Sequence, residues 1–365
     1  MAKTRYYGGF QFPAHMRFKT KPQPKAKPPP APPLAPVIVF PEGLVSFSSG
    51  KQACGVNEYS TGLARQMRLA GAQVTEELLD DAALLSSARP GAEVLIHIEP
   101  SLLRQGFDAA LRTAYLRRAK IVLCFHYFDG NLLRRFADSA DVLALHRDYG
   151  VKHSKIRQVP LACPVYAPTD RNALRRKYGL PEGKKIVTTL GFLTAWKRIP
   201  ETVQRLLPEL ERRGVLLQLL CPTHYSGDPS KEANKLRNVI HGHPSVLWQS
   251  TFLPEQEMLE RVAASDLGFV YHGENTGSCS AANKMFVAAR CPLLLTSSNH
   301  DSDVQHGAMH LKGFDLGQFA QRAVDLVHED QTLKVLAVGM EKDYERMNQR
   351  AVAQRYLGLF KEIVK

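Results

Sequence analysis

The chain has 365 residues, of which 44% are hydrophobic and 23% are charged, and a formal net charge of +13. This length exceeds what one hydrophobic core usually fills, so we expect two domains, and the ordinary composition excludes a wholly disordered or fibrous protein. The apolar runs are much shorter than the roughly 20 residues that span a bilayer, which predicts no transmembrane segment.

Six cysteines are scattered along the chain without CxxC spacing. No signal peptide precedes them, so we expect reduced thiols in a cytoplasmic protein. We expect these cysteines to be buried and to pack as small apolar residues rather than to act as nucleophiles. They are Cys54, Cys124, Cys163, Cys221, Cys279 and Cys291.

Residues 1–36 hold seven lysines and arginines and no acidic residue, more than half of the net charge. Prolines crowd residues 20–36, and because each removes a hydrogen-bond donor, we predict a disordered basic spacer. One interpretation is a tail that binds a polyanion, either DNA or an anionic membrane at whose surface the protein is peripheral. The other is a solubilising tail.

The first half of the chain alternates short apolar runs with amphipathic segments, which predicts a parallel sheet covered by helices. Val37–Phe40, a short β-branched run, is predicted as the first strand, and a turn-rich loop follows it. The further strands are predicted at Glu93–Ile98, Lys120–Phe125 and Val142–Leu145, and the helices at Asn57–Ala70, Leu102–Arg118 and Asn131–Asp138.

The same alternation begins again after a proline-rich stretch at residues 160–168, which we interpret as a connection between domains. The second half therefore predicts a second α/β domain, followed by a last helix over Tyr344–Val364. Its strands are predicted at Lys185–Leu190, Leu216–Cys221, Val246–Trp248, Leu267–Tyr271 and Leu293–Thr296, and its helices at residues 199–213, 230–239, 255–264, 280–290 and 315–328.

Three loops that follow strands and precede helices are candidate anion sites, because open parallel sheets bind ligands there and helix N-termini attract negative charge. They are residues 48–58, with Gly55; residues 191–198, with Lys197; and residues 272–284, with Ser280. Each also has a plainer interpretation, as a turn, an exposed basic pair and a serine helix cap respectively. The first loop matches neither GxxxxGK[ST] nor GxGxxG.

Taken in order, these segments resemble glycosyltransferase family four, whose members are retaining and have the GT-B fold: two Rossmann-like parallel-sheet domains that face a cleft. The resemblance covers residues 37–365. It is carried by CGVNEYSTGLARQMRLAGAQV (54–74), KIVLCFHYF (120–128), KIRQVPLAC (155–163), GFLTAWKR (191–198), FLPEQEMLERVAASDLGFVYH (252–272), TGSCSAANKMFVAARCPLLLTSS (276–298) and AVAQRYLGLFKEIV (351–364).

The resemblance implies an α/β protein with an acceptor domain over residues 37–165, a donor-nucleotide domain over 166–343 and a helix over 344–365 that crosses back to the first domain. It implies a UDP- or GDP-sugar donor and no metal. The catalytic residues would be His126, facing the donor sugar, Lys197, at the diphosphate, and Glu274. The donor-binding residues would be Gly55, Gly191, Lys197, Arg198, Thr276, Gly277, Ser278, Ser280 and Ala281.

The sequence departs from the family pattern at its acidic pair. Two glutamates eight residues apart are common there, and ungapped counting places Gly277 and Met285 at those positions. Glu274 replaces the first glutamate if the loop is shifted by three residues. The arginine usual near Leu193 is also missing, and Arg198 is its candidate substitute.

Two further patterns favour plainer interpretations. Asp301-Ser302-Asp303 spells an acidic triplet that some glycosyltransferases use for a metal, and we interpret it here as a solvated loop. The histidines without zinc-type spacing are predicted to lie on surface loops. They are His241, His243, His300, His306 and His310.

The sequence therefore predicts a glycosyltransferase that moves a sugar from a nucleotide-diphosphate donor to a hydroxyl acceptor. The acceptor would be a cell-surface glycan or lipid-linked intermediate, or a modified base in DNA. The alternative is a catalytically inactive GT-B-like protein that binds nucleotides or nucleic acid, suggested by the missing acidic pair.

Overall fold

The computed structural model describes residues 39–49, 55–223, 229–273, 279–298, 302–313 and 315–363. The predicted basic tail lies outside these ranges. So do Cys54, His300 and Asp301.

The first six strands form one parallel sheet in the order β2-β1-β3-β4-β5-β6. Alternate residues of β3 enter different apolar clusters, Val94 and Ile96 on one face and Leu95 on the other, so helices cover both faces. The strands are β1 (Leu44–Ser48), β2 (Val74–Leu78), β3 (Glu93–Ile98), β4 (Lys120–Phe125), β5 (Val142–Leu145) and β6 (Ile156–Gln158), and the helices are α1 (Gly55–Leu69), α2 (Ala82–Ser86), α3 (Phe107–Leu116) and α4 (Gly130–Phe136).

A second parallel sheet has the order β12-β11-β10-β7-β8-β9, so the strand order reverses between β7 and β10. Its strands are β7 (Ile186–Leu190), β8 (Leu216–Leu220), β9 (Val246–Gln249), β10 (Leu267–Val270), β11 (Leu293–Thr296) and β12 (Ala308–Leu311). Its helices are α5 (Arg171–Lys177), α6 (Ile199–Arg212), α7 (Pro229–Ile240), α8 (Glu255–Ala263), α9 (Ala281–Ala289) and α10 (Leu316–Leu326). Short 3-10 turns lie at Pro100–Leu102, Ala137–Ser139 and Ala195–Lys197.

The predicted last helix is two helices, α11 (Asp330–Met347) and α12 (Gln349–Ile363), which meet at an extended Asn348. The backbone of Cys163 enters this break: its N–H donates to the Met347 carbonyl at 2.8 Å, and its carbonyl accepts from the Gln349 N–H at 2.9 Å. The connection between the two sheets therefore pairs with the chain where it returns. From there α12 packs on α1 and β4, and the Tyr356 hydroxyl donates to Cys124 Sγ at 3.0 Å.

The predicted first strand is wrong where the structure describes it, since residues 37 and 38 lie outside the described ranges. Residues 39 and 40 are not in a strand, and β1 lies instead at Leu44–Ser48, inside the predicted turn-rich loop. The prediction also missed β2, β6 and β12. His310, predicted on a loop, belongs to β12. In the described part of the chain, no helix is long and apolar enough to cross a membrane.

Candidate functional site

A cavity of about 290 Å³ lies between elements of the two sheets. The second sheet supplies the loops that follow β7 and β10, the two strands between which its order reverses, and such a point is where open α/β sheets bind ligands. The first sheet supplies the start of α1 and the connection after β6. Residues that line the cavity include Gly55, Glu58, Tyr59, Pro164, Gly191, Trp196, Lys197, Glu255, Ser280, Ala281 and Lys284.

Two helix N-termini meet at this cavity. α1 begins at Gly55 and α9 begins at Ala281, and a Cβ built on Gly55 would lie 3.9 Å from the Ala281 Cβ. Ser280 caps α9 by accepting a hydrogen bond from the Asn283 N–H at 3.4 Å. Because the first amides of a helix have no intrahelical partner and carry partial positive charge, both helix ends favour an anion between them.

The ammonium group of Lys197 lies over the loop after β7. A Cβ built on Gly191 would come within 2.5 Å of Lys197 Nζ, and Gly191 has a φ of 118°, which glycine adopts readily and other residues rarely do. Lys197 Nζ is also 5.5 Å from the Trp196 ring centroid. The glycine thus brings a positive charge close to bare backbone at the cavity wall.

Aromatic rings build the wall next to Lys197. Trp196 stacks on His272 with centroids 5.2 Å apart, and Phe192 stacks on Phe252 at 5.9 Å. Burial, and then the nearby Lys197 charge, lower the pKa of His272 to about 3. His272 is therefore neutral at physiological pH and adds no positive charge to the site.

Two carboxylates face the cavity from the first turns of α1 and α8. Desolvation by the cleft, and then the charge of Glu255, raise the pKa of Glu58, and desolvation also raises the pKa of Glu255. The sequence analysis assigned a role to neither residue, although Glu58 lies in its candidate loop over residues 48–58. Carboxylates are hydrogen-bond acceptors suited to ligand hydroxyl groups, so the cavity has a basic wall and an acidic wall.

A buried ion pair stands behind the basic wall. Lys284, in the first half of α9, lines the cavity, and its Nζ lies 2.7 Å from Asp303 Oδ2, with both side chains 2% exposed. The interpretation of residues 301–303 as a solvated loop is wrong for Asp303. Its partner is nearly twenty residues away in sequence, so the residues next to Asp303 do not indicate that it is paired and buried.

Three histidines and a cysteine gather at the carboxyl end of the first sheet. His97 is in β3, Cys124 in β4, and His126 and His146 directly follow β4 and β5. Burial is the first cause that lowers the pKa of His97 to about 3 and that of His146 to about 4. It also lowers the pKa of His126 well below its ordinary value and raises that of Cys124 to about 12. The thiol and the imidazoles are therefore neutral.

The predicted site residues separate into three groups. Gly55, Gly191, Lys197, Ser280 and Ala281 line the cavity. His126 and Arg198 are not among the described residues that line it; the His126 ring packs edge-on against Tyr59, which does, at 4.9 Å. Glu274, Thr276, Gly277 and Ser278 lie outside the described residues.

The chain is similar to known proteins in fold but not in sequence. No protein-family model matches the sequence, and neither does any curated protein. Solved structures do match. A glycosyltransferase from Rickettsia africae has a TM-score of 0.68 and 12% identity, over 88% of this chain and 98% of that one.

Two other structures give the same result. An E. coli trehalose-6-phosphate structure bound with UDP-2-fluoro glucose has a TM-score of 0.66 and 12% identity over 87% and 99% of the two chains. A UDP-forming α,α-trehalose-phosphate synthase from Burkholderia xenovorans has a TM-score of 0.60 and 14% identity over 78% of each. Identities this low establish architecture only. With its two parallel six-stranded sheets, the chain has the GT-B fold that the sequence predicted.

Proposed function

We propose that this protein is a glycosyltransferase that takes a sugar from a nucleotide-diphosphate donor and passes it to a hydroxyl acceptor. One observation supports this above the others: Lys197 and the N-termini of α1 and α9 converge on one cavity. A pyrophosphate carries two or more negative charges, which match a lysine and two helix ends. The solved structures that share the fold include one bound with a UDP-sugar analogue.

In the proposed reaction the diphosphate is the leaving group. As the bond from the anomeric carbon to the phosphate oxygen breaks, negative charge builds on the diphosphate, and Lys197 and the helix amides stabilise that charge. The acceptor hydroxyl oxygen forms the new bond to the anomeric carbon, and its proton passes to the departing diphosphate. The acidic wall, Glu58 and Glu255, accepts hydrogen bonds from sugar or ribose hydroxyls and orients the donor. This arrangement supplies the acidic groups that the glutamate pair would have supplied. We further propose the retaining outcome of family four.

The domain roles follow from this placement of the donor. We propose that residues 166–343 hold the nucleotide and residues 37–165 the acceptor, with residues 344–365 packed against the latter. The donor is a UDP- or GDP-sugar. The acceptor is a glycan or lipid-linked intermediate, or a modified base in DNA to which the basic residues 1–36 adhere. The proposed location is cytoplasmic.

The central test is donor turnover with purified full-length protein. UDP- and GDP-sugars labelled in the sugar are incubated with and without candidate acceptors, and transfer or hydrolysis is measured. Lys197→Ala should lower kcat/KM about 100-fold. Lys185→Ala, whose exposed side chain pairs with Asp330 at 2.6 Å, is the control and should retain full activity. Donor binding without turnover would instead support an inactive GT-B-like binding protein.

A second experiment separates the acceptor classes. Products are identified by mass spectrometry after incubation with lipid-linked glycans or with DNA that carries hydroxymethylated bases. Removal of residues 1–36 should weaken the binding of a nucleic-acid or anionic-membrane acceptor. The loss should be largest at low salt, since binding through lysines and arginines releases counterions. A salt-independent reaction, unchanged by that removal, would rule out polyanion binding through the tail.

A further inference from the structure

The histidine and cysteine cluster at the end of the first sheet has the composition of a transition-metal site. His97 and Cys124 are fully buried, and His126 is half-buried beside them. One ligand atom from each of these three residues lies within 4.8 Å of the others.

Two of the separations within this group approach those of a coordination sphere. His97 Nδ1 lies 3.1 Å from His126 Nε2, and Cys124 Sγ lies 3.7 Å from the same nitrogen. A tetrahedral zinc ion, with bonds of about 2.0–2.1 Å to nitrogen and 2.3 Å to sulfur, separates neighbouring ligand atoms by roughly 3.3–3.6 Å. Small side-chain shifts therefore bring the three atoms onto one ion.

Each of the three ligands also has an outer partner that orients it. The Ser46 hydroxyl lies 3.3 Å from His97 Nε2, and the Tyr356 hydroxyl lies 3.0 Å from Cys124 Sγ. His146 Nε2 lies 3.4 Å from His126 Nδ1. Outer hydrogen bonds of this kind fix the tautomer and direction of the ligands in metal sites.

The proton positions are consistent with metal binding. His146 Nδ1 lies 3.1 Å from the Val159 carbonyl, so it carries the hydrogen, and the bare Nε2 of His146 accepts from His126 Nδ1–H. His126 Nε2 is then bare and faces His97 and Cys124. Without metal, His97 Nδ1–H donates to it; with metal, that hydrogen moves to His97 Nε2 and is donated to the Ser46 oxygen.

We propose that His97, Cys124 and His126 bind a single divalent transition-metal ion of the zinc type, with water as the fourth ligand of a tetrahedral site. The mixed nitrogen and sulfur set selects such ions over magnesium or calcium, which prefer oxygen. Binding breaks the Cys124 S–H bond, forms a metal–sulfur bond and releases one proton to solvent. The site lies behind Tyr59, whose ring packs edge-on against the His97 and His126 rings, and is separate from the diphosphate chemistry.

The consequence for the protein is a rigid support for the cavity wall. Tyr59 lines the cavity on one side and packs on the cluster on the other. An ion that joins β3 to the end of β4 fixes the rings on which Tyr59 rests. The role is structural, and it stands whether or not the proposed transfer reaction is correct.

The test uses the full chain, prepared in zinc-supplemented medium and dialysed against metal-free buffer. Elemental analysis should find about one zinc per chain. Exchange with Co²⁺ should give the ultraviolet sulfur-to-cobalt charge-transfer band and the visible absorption of a tetrahedral site. Substoichiometric metal in the wild-type protein, or cobalt bound without the sulfur band, would overturn the proposal in favour of a metal-free hydrogen-bonded cluster.

Variants assign the ligands. Cys124→Ser should abolish the charge-transfer band, and Ser46→Ala, which removes only an outer partner, should weaken zinc binding by about 10- to 100-fold. Cys221→Ser is the matched control, a buried thiol whose Sγ contacts the Thr189 carbonyl at 3.9 Å, and it should leave the spectrum unchanged. Equal metal binding by Cys124→Ser and Cys221→Ser would contradict the assignment. Circular dichroism checks that each variant is folded.

Discussion

Lys284 and Asp303 form an ion pair that is almost completely enclosed, with Nζ and Oδ2 2.7 Å apart. The pair links α9, whose first residues border the cavity, to the segment before β12. Because Asp303 compensates the charge of Lys284, this lysine gives the cavity less positive potential than its position alone suggests. Its main contribution is to hold α9, which borders the cavity, to the segment before β12.

Removal of one partner of this pair should be strongly destabilising. Lys284→Ala leaves a buried carboxylate without its counter-ion, and we expect a loss of about 3–5 kcal/mol in the free energy of unfolding. Asp303→Ala should cost a similar amount. The double variant Lys284→Met/Asp303→Leu should lose much less than the sum, since no buried charge is left uncompensated. Urea unfolding followed by circular dichroism measures all three.

The exposed pair of Lys185 and Asp330 is the control for burial. Its side chains are 33% and 69% exposed, and Lys185→Ala should cost less than about 1 kcal/mol. If Lys284→Ala is as stable as Lys185→Ala, the buried pair does not stabilise the attachment of α9 to the segment before β12.

The strands predicted well from the sequence are those buried on both faces. Glu93–Ile98, Lys120–Phe125, Val142–Leu145 and Leu293–Thr296 have the predicted bounds, because interior strands of a parallel sheet are continuous apolar runs. The missed strands β2, β6 and β12 lie at sheet edges, where one side faces solvent and polar residues replace that signal. β1 is interior, and its two serines concealed it.

Features that depend on distant contacts could not be predicted. The break at Asn348 is formed by the backbone of Cys163, and the burial of Asp303 depends on Lys284. The loops at Gly55, Lys197 and Ser280 were identifiable because each adjoins a strand end or helix start. The same reasoning applied to His97, His126 and His146 would have found the cluster, since all three lie at the carboxyl ends of neighbouring strands.

Gly191 should be required for the position of Lys197. An alanine there adopts a strained φ of 118°, and its Cβ would approach Lys197 Nζ to 2.5 Å, so the ammonium group must move. We expect Gly191→Ala to weaken donor binding by about 10-fold, measured by calorimetry with the UDP- or GDP-sugar. Gly183→Ala, where nothing lies within 4 Å of the new methyl group, should bind the donor normally.

His272 should make the protein less stable in acid. Its pKa is about 3 in the folded state and about 6.5 in the unfolded chain, so unfolding takes up a proton between these values. The contribution of His272 to the free energy of unfolding is therefore fully present above pH 6.5. It is lost as the pH drops towards 3, by up to about 1.4 kcal/mol per pH unit. His272→Gln should reduce the slope of unfolding free energy against pH, measured by urea unfolding at several pH values. An unchanged slope would show that His272 titrates normally.

Two helix glycines should respond oppositely to alanine. In α11, a Cβ on Gly339 would lie 2.0 Å from the His306 carbonyl oxygen and 2.8 Å from the Gly307 nitrogen, so backbone must move, and overpacking of this kind costs about 1–3 kcal/mol. In α12, a Cβ on Gly358 meets nothing within 4 Å, and alanine should stabilise that helix by about 0.5–1 kcal/mol. The difference tests the close contact of α11 with the segment before β12, where the Asp343 carboxylate also accepts backbone hydrogen bonds from His306 at 2.8 Å and Gly307 at 2.9 Å. If thermal unfolding shows that both variants are stabilised, α11 does not make this contact.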